Sequence, residues 1–196
     1  MAVLKVERAG GEARRSQPLF VFDLGSPESW LVAERVIHDL PALAEWWPVL
    51  AADLPGGAPD ALSREEISRR AATRGLLEAR WPAEWSDTRR AMLAVAYAKQ
   101  IGKTVGFCLA AFRQAFAGGR DPGADETFLL AGAAAEMHPT AILSSIETRS
   151  VANALAAATA TAATAGVRAL PALITPGGEV FTGDDGIEAA AAALAA

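Results

Sequence analysis

The chain has 196 residues, 52% of them hydrophobic, and carries a formal net charge of −5 at pH 7. This length and composition are typical of a globular protein with a real hydrophobic core. The acidic balance argues against nucleic-acid binding, which requires a concentrated basic face.

The first segment of the chain, residues 1–17, is predicted to be a polar tail. Its charges are scattered and it lacks the apolar core of a secretory signal. The longest later apolar stretch, residues 151–167, is mostly Ala and Thr and is interrupted by Asn153 and Gly166, which argues against a membrane-spanning helix. We therefore expect a cytoplasmic protein without membrane contact.

The chain then predicts a strand, a helix and a second strand. PLFVFDLG (18–25) is short, rich in Phe and Val, and bounded by Pro and Gly, as a buried strand would be. Apolar residues recur at helical spacing from Pro27 to Leu40. EWWPVLAADL (45–54) predicts a second strand, in which Pro48 indicates an edge position or a bulge.

The long middle segment, residues 63–166, has an almost wholly helical pattern. Gly and Pro interrupt it where helices should end, and its abundant Ala has the highest helix propensity. Cys108, the one cysteine, lies within a helical pattern, which favours a buried structural thiol. Arginines between Arg64 and Arg90 are mixed with glutamates, which favours a solvated helix face over an anion site.

The last part of the chain returns to a strand pattern. RALPALIT (168–175) and EVFTG (179–183) predict two strands joined by the turn PGG (176–178), and a final helix begins near Asp185. A two-stranded piece could not bury its faces alone. We therefore expect the two outer pieces of the chain to form one sheet, with the helical block inserted between them.

The turn FDLGSPESWL, between the first strand and its helix, has two interpretations. Ser26 is a preferred helix N-cap, Pro27 suits the first helical position and Glu28 complements the helix dipole, so capping alone explains these residues. In the other interpretation Ser26 donates a hydrogen bond to a bound thiolate. Neither Ser26 nor Ser29 can attack a disulfide, so a dithiol oxidoreductase reaction is excluded at this turn.

Several other residues also have a structural and a functional interpretation. His38 and His138 lie in helical contexts, which favours surface or packing roles over a catalytic base. Pro171 marks either an edge strand or a cis peptide bond. Four tryptophans either line an apolar substrate pocket near the turn or pack in the core or at an interface. They are Trp46, Trp47, Trp81 and Trp85.

Three motifs and the order of the elements resemble those of a known superfamily. The motifs are FDLGSPESWL, VRALPALI and FTGDDGIEAAAAAL. They are similar, in turn, to an aromatic-Asp-x-x-Ser-Pro-x-Ser-Trp/Tyr-Leu element, a loop ending in a cis-proline, and the start of a last helix. All three belong to the DsbA-like thioredoxin superfamily, in its branch of 2-hydroxychromene-2-carboxylate isomerases and kappa-class glutathione transferases.

This resemblance covers about residues 18–196 and implies an α/β, thioredoxin-like fold with a large all-helical insertion. Residues 18–62 and 167–196 would form the thioredoxin-like domain, and residues 63–166 the helical insertion domain. The resemblance also implies a homodimer that acts on a small hydrophobic or aromatic electrophile. No metal site is predicted.

The resemblance further implies glutathione as the cofactor. Ser26 would be the catalytic residue that stabilises the glutathione thiolate. The backbone of Leu170, before a cis-Pro171, would pair with the peptide part of the cofactor. Asp184 and Asp185 would hold the γ-glutamyl end, although both would equally serve as N-caps of the last helix.

The chain departs from the family pattern at two places. Gly186 replaces the arginine that usually follows the aspartate, and SDT (86–88) replaces a Pro-Asn-Ser/Thr stretch, so that Asp87 stands where relatives carry asparagine. Three hypotheses remain open. The protein is a glutathione-dependent isomerase or transferase, a non-catalytic DsbA-like binding protein, or an enzyme that uses another small thiol.

Overall fold

The computed structural model describes residues 16–57 and 62–195, so that most of the predicted polar tail lies outside the described residues. The described chain contains four strands, nine α-helices and a short 3-10 helix at Ala51–Asp53. The strands are β1 (Leu19–Phe22), β2 (Glu45–Pro48), β3 (Ala172–Ile174) and β4 (Val180–Thr182). The helices are α1 (Pro27–Ala33), α2 (Val36–Asp39), α3 (Arg64–Thr73), α4 (Arg89–Gln100), α5 (Thr104–Phe116), α6 (Asp125–Ala134), α7 (Pro139–Ile146), α8 (Arg149–Thr164) and α9 (Gly186–Ala195).

All four strands form one mixed sheet in the order β2-β1-β3-β4, which confirms that the two outer pieces of the chain pair. Strand β1 runs parallel to β2 and antiparallel to β3, and β3 pairs antiparallel with β4. Every residue of β1 is buried, as its apolar sequence requires at the centre of a sheet. Pro48 lies in the edge strand β2, where the missing N–H of proline is tolerated.

All four strands are shorter than predicted, and two predicted helical segments end early or divide. The helix predicted from Pro27 to Leu40 ends at Ala33, because the N–H of Arg35 bonds to the Val32 carbonyl at 2.9 Å and tightens the last turn. Strand β2 ends at Pro48, and the N–H of Ala51 bonds to the Asp23 side chain instead of continuing a ladder. The helical run after Pro139 divides into α7 and α8 at Thr148, whose hydroxyl caps α8.

The inserted helices share the hydrophobic core with the sheet. Phe20 and Phe22 of β1 form ring contacts with Trp46, with centroid distances of 5.0 and 5.5 Å, and Phe22 also contacts Phe112 of α5 at 5.9 Å. Leu19 and Val21 pack into a second buried cluster with residues of α8 and the loop after it. The sheet is therefore covered on both faces, and the turn that carries Ser26 follows its interior strand β1.

Cys108 is buried in this core, and burial raises the pKa of its thiol well above the usual value. The structural role predicted for it is confirmed. Within residues 16–57 and 62–195, no helix is long and apolar enough to span a bilayer.

Candidate functional site

The turn at Ser26 begins helix α1, and the Ser26 hydroxyl can still donate a hydrogen bond. Ser26 has an extended backbone conformation, and its hydroxyl oxygen accepts a hydrogen bond from the N–H of Ser29 at 3.2 Å, so the predicted capping role is confirmed. Pro27 occupies the first helical turn. No residue in the described part of the chain accepts a hydrogen bond from the Ser26 hydroxyl. Its hydrogen is therefore available to a ligand.

Ser26 lines an open cleft of about 340 Å³, called the Ser26 cleft below. Its walls are the turn after β1, the segment after β2, and the stretch before α4. The lining residues are Asp23, Gly25, Ser26, Leu50, Ala51, Ala52, Gly57, Trp85, Ser86, Asp87 and Thr88. The charged side chains among them are both carboxylates, those of Asp23 and Asp87, so the lining itself offers no cation to a ligand.

Asp23 joins the three walls of the cleft. One carboxylate oxygen accepts hydrogen bonds from the Gly25 N–H and the Thr88 hydroxyl, both at 2.8 Å, and the other accepts from the Ala51 N–H at 2.9 Å. The residue is 1% exposed, and burial raises the pKa of its carboxyl group, against the effect of these hydrogen bonds. The sequence analysis gave Asp23 no role. The signal that could have identified it is an acidic residue directly after a buried strand.

A smaller cavity of about 240 Å³, called the indole slot below, lies beside the same turn. It is lined by Pro27, Leu62, Arg64, Ile67, Trp81 and Trp85. Trp85 thus lines both cavities. The sequence predicted the indole slot only in part, since the two tryptophans were candidate pocket residues whereas Arg64 was expected on a solvated helix face.

Of the four tryptophans, two line a pocket and two have packing or hydrogen-bonding roles. Trp81 and Trp85 line the indole slot, as the pocket interpretation predicts. Trp46 belongs to the hydrophobic core, and the indole N–H of Trp47 donates to the Ala158 carbonyl at 3.0 Å.

The peptide bond between Leu170 and Pro171 is cis, as predicted. The Pro171 carbonyl accepts a hydrogen bond from the N–H of Gly183 at 2.9 Å. A Cβ at Gly183 would lie 3.7 Å from a carboxylate oxygen of Glu28, two residues after Ser26. The three sequence motifs therefore lie near one another, but the lining of the Ser26 cleft includes neither Leu170 nor Pro171.

Asp184 is the centre of a group of ion pairs, called the arginine cluster below. Its carboxylate accepts hydrogen bonds from Arg70 at 2.7 Å and Arg74 at 2.6 Å, and Arg35 lies 3.6 Å away. Asp184 is 1% exposed, whereas the side chain of Asp185, paired with Arg70 at 2.6 Å, is 75% exposed. Cofactor binding by the two aspartates stays a prediction.

Two of the arginines in and directly after α3 differ from their predicted role. Arg69 pairs with Glu66 on the exposed side of the helix, as a solvated face would. The interpretation is wrong for Arg70 and Arg74, which pair with the buried Asp184 more than a hundred residues away in sequence. Such a distant partner leaves no local pattern in the sequence.

Gly186, which replaces a family arginine, lies close to the preceding strand. A Cβ built on it would lie 3.1 Å from the carbonyl carbon of Phe181, closer than side chains normally approach. A larger residue here would require the backbone to shift. The departure from the family pattern therefore has a packing reason.

Both histidines have structural positions. His138 caps helix α7, where its Nδ1 accepts a hydrogen bond from the Thr140 N–H at 3.3 Å, and His38 is exposed on α2. The predicted surface and packing roles are confirmed. In the described ranges, no group of three or more His, Cys, Asp or Glu residues is placed to hold a metal ion.

A comparison with family models decides the family. The model of the DSBA-like thioredoxin domain matches residues 19–195. The chain belongs to this family. The predicted superfamily and its fold class, a thioredoxin-like sheet with a helical insertion, are thereby confirmed, and no curated protein gives a significant sequence match.

Solved structures of DsbA-like proteins share the fold. A 2-hydroxychromene-2-carboxylate isomerase superposes with a TM-score of 0.77 at 17% identity, covering 91% of this chain and 94% of that chain. A protein from Streptomyces coelicolor named a probable DsbA oxidoreductase gives 0.74 at 16% identity, over 91% and 88% of the two chains. SrgA from Salmonella enterica serovar Typhimurium gives 0.56 at 15% identity, over 90% and 89%. At these identities the likeness concerns the fold alone.

Proposed function

We propose that the protein is a glutathione-dependent isomerase or transferase that acts on a small hydrophobic or aromatic electrophile in the Ser26 cleft. The observation that carries the proposal is the Ser26 hydroxyl, which lines the cleft while its hydrogen has no acceptor among the described residues. The likeness in fold to an isomerase of this superfamily branch supports the reaction class.

The hydroxyl of Ser26 would act on the sulfur of the cofactor. A hydrogen bond to a charged group is worth roughly 1.5–3 kcal/mol, and about 1.4 kcal/mol corresponds to one pKa unit. This bond alone would lower the pKa of a bound thiol from about 8.5 to roughly 6.5–7.5. A large fraction of the bound thiol would then be ionised at neutral pH. The seven-residue helix α1 is not required for this effect.

The chain's other residues would position the cofactor and the electrophile. When bound, glutathione would supply a thiolate that adds to an electrophilic carbon. Ser26 would hold the sulfur without forming a covalent bond, and the backbone at Leu170 would pair with the peptide part. Asp185 pairs with Arg70 but is 75% exposed and so remains accessible to the γ-glutamyl ammonium, whereas Asp184 is buried among its arginine partners.

The test is a calorimetric titration of reduced glutathione into the wild-type protein, Ser26→Ala and Ser29→Ala. We expect wild-type binding in the micromolar to low millimolar range, about tenfold weaker binding to Ser26→Ala, and unchanged binding to the control Ser29→Ala. The pKa of the bound thiol, followed by thiolate absorbance, should rise in Ser26→Ala. Equal affinity for both variants, or no heat with the wild type, would contradict the proposal.

The arginine cluster favours two other candidates. Arg70 and Arg74 already bond to Asp184, so this carboxylate, which the resemblance assigns to the cofactor, is paired within the chain. One candidate is an enzyme that uses a small thiol lacking the γ-glutamyl group. Cysteinylglycine binding as tightly as glutathione would favour it. The other candidate is a non-catalytic DsbA-like binding protein, which the absence of binding by either thiol would favour.

A further inference from the structure

Arg64, which lines the indole slot, makes cation–π contacts with two tryptophans. Its guanidinium carbon lies 5.3 Å from the ring centroid of Trp81 and 5.8 Å from that of Trp85. Both indoles contact the ring of buried Phe116, with centroid distances of 6.2 and 5.7 Å, so the aromatic platform is fixed to the core. A guanidinium held by cation–π contacts keeps its N–H donors available to an anion.

Arg64 also differs from its neighbours in its charge partners. Arg69, Arg70 and Arg74 each have a carboxylate within 2.8 Å. Arg64 forms no ion pair within residues 16–57 and 62–195. It is also the one cation among the residues that line the Ser26 cleft and the indole slot.

The two cavities meet at the turn that holds Ser26. Ser26 lines the cleft, the next residue, Pro27, lines the slot, and Trp85 lines both. A ligand whose sulfur lies at Ser26 is therefore within a short distance of the slot. An anionic group on that ligand would be repelled by Asp23 and Asp87 in the cleft and attracted to Arg64 in the slot.

We propose that Arg64, held over the rings of Trp81 and Trp85, binds a carboxylate of the ligand that occupies the Ser26 cleft and so determines specificity for anionic ligands. The planar guanidinium fork pairs with a carboxylate through two parallel hydrogen bonds. This carboxylate belongs either to the thiol cofactor or to the electrophilic substrate. The placement of the ligand's sulfur rests on the proposed function, whereas the anion site itself does not.

The experiment uses two matched pairs of probes in calorimetric titrations. The first pair is glutathione and its glycyl monoethyl ester, which differ by one carboxylate. The second pair is benzoate and benzamide, which contain no thiol. Each probe is titrated into the wild-type protein, Arg64→Gln, Arg64→Lys and the control Arg69→Gln. Arg69 lies on the same helix, its side chain is 64% exposed, and its loss removes the same charge.

We expect at least one acid probe to bind about tenfold or more weakly to Arg64→Gln, while its uncharged counterpart binds both proteins alike. Arg64→Lys should recover only part of the affinity, because an ammonium lacks the planar fork. An effect on the glutathione pair assigns the carboxylate to the thiol. An effect on the benzoate pair assigns it to the substrate.

Three results would overturn the assignment. They are equal binding of both acids by wild type and Arg64→Gln, an equally large effect of Arg69→Gln, and no binding of either acid to the wild type. Failure of the thiol-dependent function has a different signature. In that case glutathione would not bind, or would bind Ser26→Ala as well as the wild type, while benzoate would still respond to Arg64→Gln.

Discussion

The Ser26 cleft and the arginine cluster differ in how their polar groups are satisfied. At Ser26 the hydroxyl accepts one hydrogen bond from the chain and, among the described residues, donates none. At Asp184 the carboxylate is buried and bonded to two arginines, with a third 3.6 Å away. Both regions resemble cofactor-contacting motifs of the same superfamily, yet only the first keeps its polar group open toward a cavity.

The carboxylate that the resemblance assigns to a ligand's ammonium is thus paired with the chain's own guanidinium groups. Two arginines bond to Asp184 and a third lies 3.6 Å away, so its negative charge is compensated within the described chain. The hydroxyl hydrogen of Ser26 has no such partner within the described chain. We therefore assign stability to the arginine cluster and ligand binding to the Ser26 cleft, and three predictions test this division.

The largest effect is expected in the arginine cluster. Asp184→Asn should lower the free energy of unfolding by about 3 kcal/mol, because it leaves several guanidinium groups without their shared buried carboxylate. The matched control Asp185→Asn should cost less than about 1 kcal/mol, since that side chain is 75% exposed. Urea unfolding of both variants at neutral pH measures the two effects.

Equal losses of unfolding free energy in Asp184→Asn and Asp185→Asn would contradict a stabilising role for the arginine cluster. If Asp184→Asn instead left stability unchanged and abolished glutathione binding, Asp184 would be a ligand group, as the sequence motif implied.

A smaller effect is expected at the Ser26 turn, where two serines are buried three residues apart. Ser26→Ala should cost about 1 kcal/mol of stability through loss of the helix cap. Ser29→Ala should be neutral or slightly stabilising, because the Ser29 hydroxyl is buried without a hydrogen-bond partner among the described residues. Thermal and urea unfolding of both variants would check this. A cost at Ser29 equal to that at Ser26 would show that the Ser29 hydroxyl has a partner in solution.

The sheet and the helical block could be predicted because their signals are local. Strand β1 is short, apolar and bounded by Pro and Gly, and the helices carry periodic apolar residues between Gly and Pro breaks. The early end of α1 could not be predicted, since apolar spacing continues past Ala33 and no Pro or Gly intervenes. Arg35, just beyond it, pairs with Asp184 and Glu188 more than 140 residues away, a tertiary effect.

The candidate site was predictable where a motif is contiguous and not where residues meet through the fold. Ser26 and the cis bond before Pro171 are named by short motifs that the structure confirms as a helix cap and a cis peptide. Arg64 reaches the slot only because the stretch carrying Trp81 and Trp85 packs against Phe116. Residues that meet in this way are far apart in the sequence, so no local pattern predicts their contact.

The smallest effect is expected as a pH dependence at Asp23, beneath the Ser26 cleft. Burial raises the pKa of Asp23 above its usual value of 3.8, although three hydrogen bonds oppose the shift. Between the usual pKa of the unfolded state and the raised pKa of the folded state, the folded state binds more protons than the unfolded state. Stability therefore falls as the pH rises through this range. The contribution is complete below the usual pKa of 3.8 and is lost as the pH passes the raised pKa.

Asp23→Asn isolates this contribution, because it removes the titrating group. The unfolding free energy of the wild type minus that of Asp23→Asn should fall as the pH rises from about 4 toward neutrality. Urea unfolding of both proteins at several pH values measures this difference. A difference that rises with pH would mean that the hydrogen bonds from Gly25, Ala51 and Thr88 outweigh burial. Asp23 would then hold the three walls of the cleft as an ionised carboxylate with a lowered pKa.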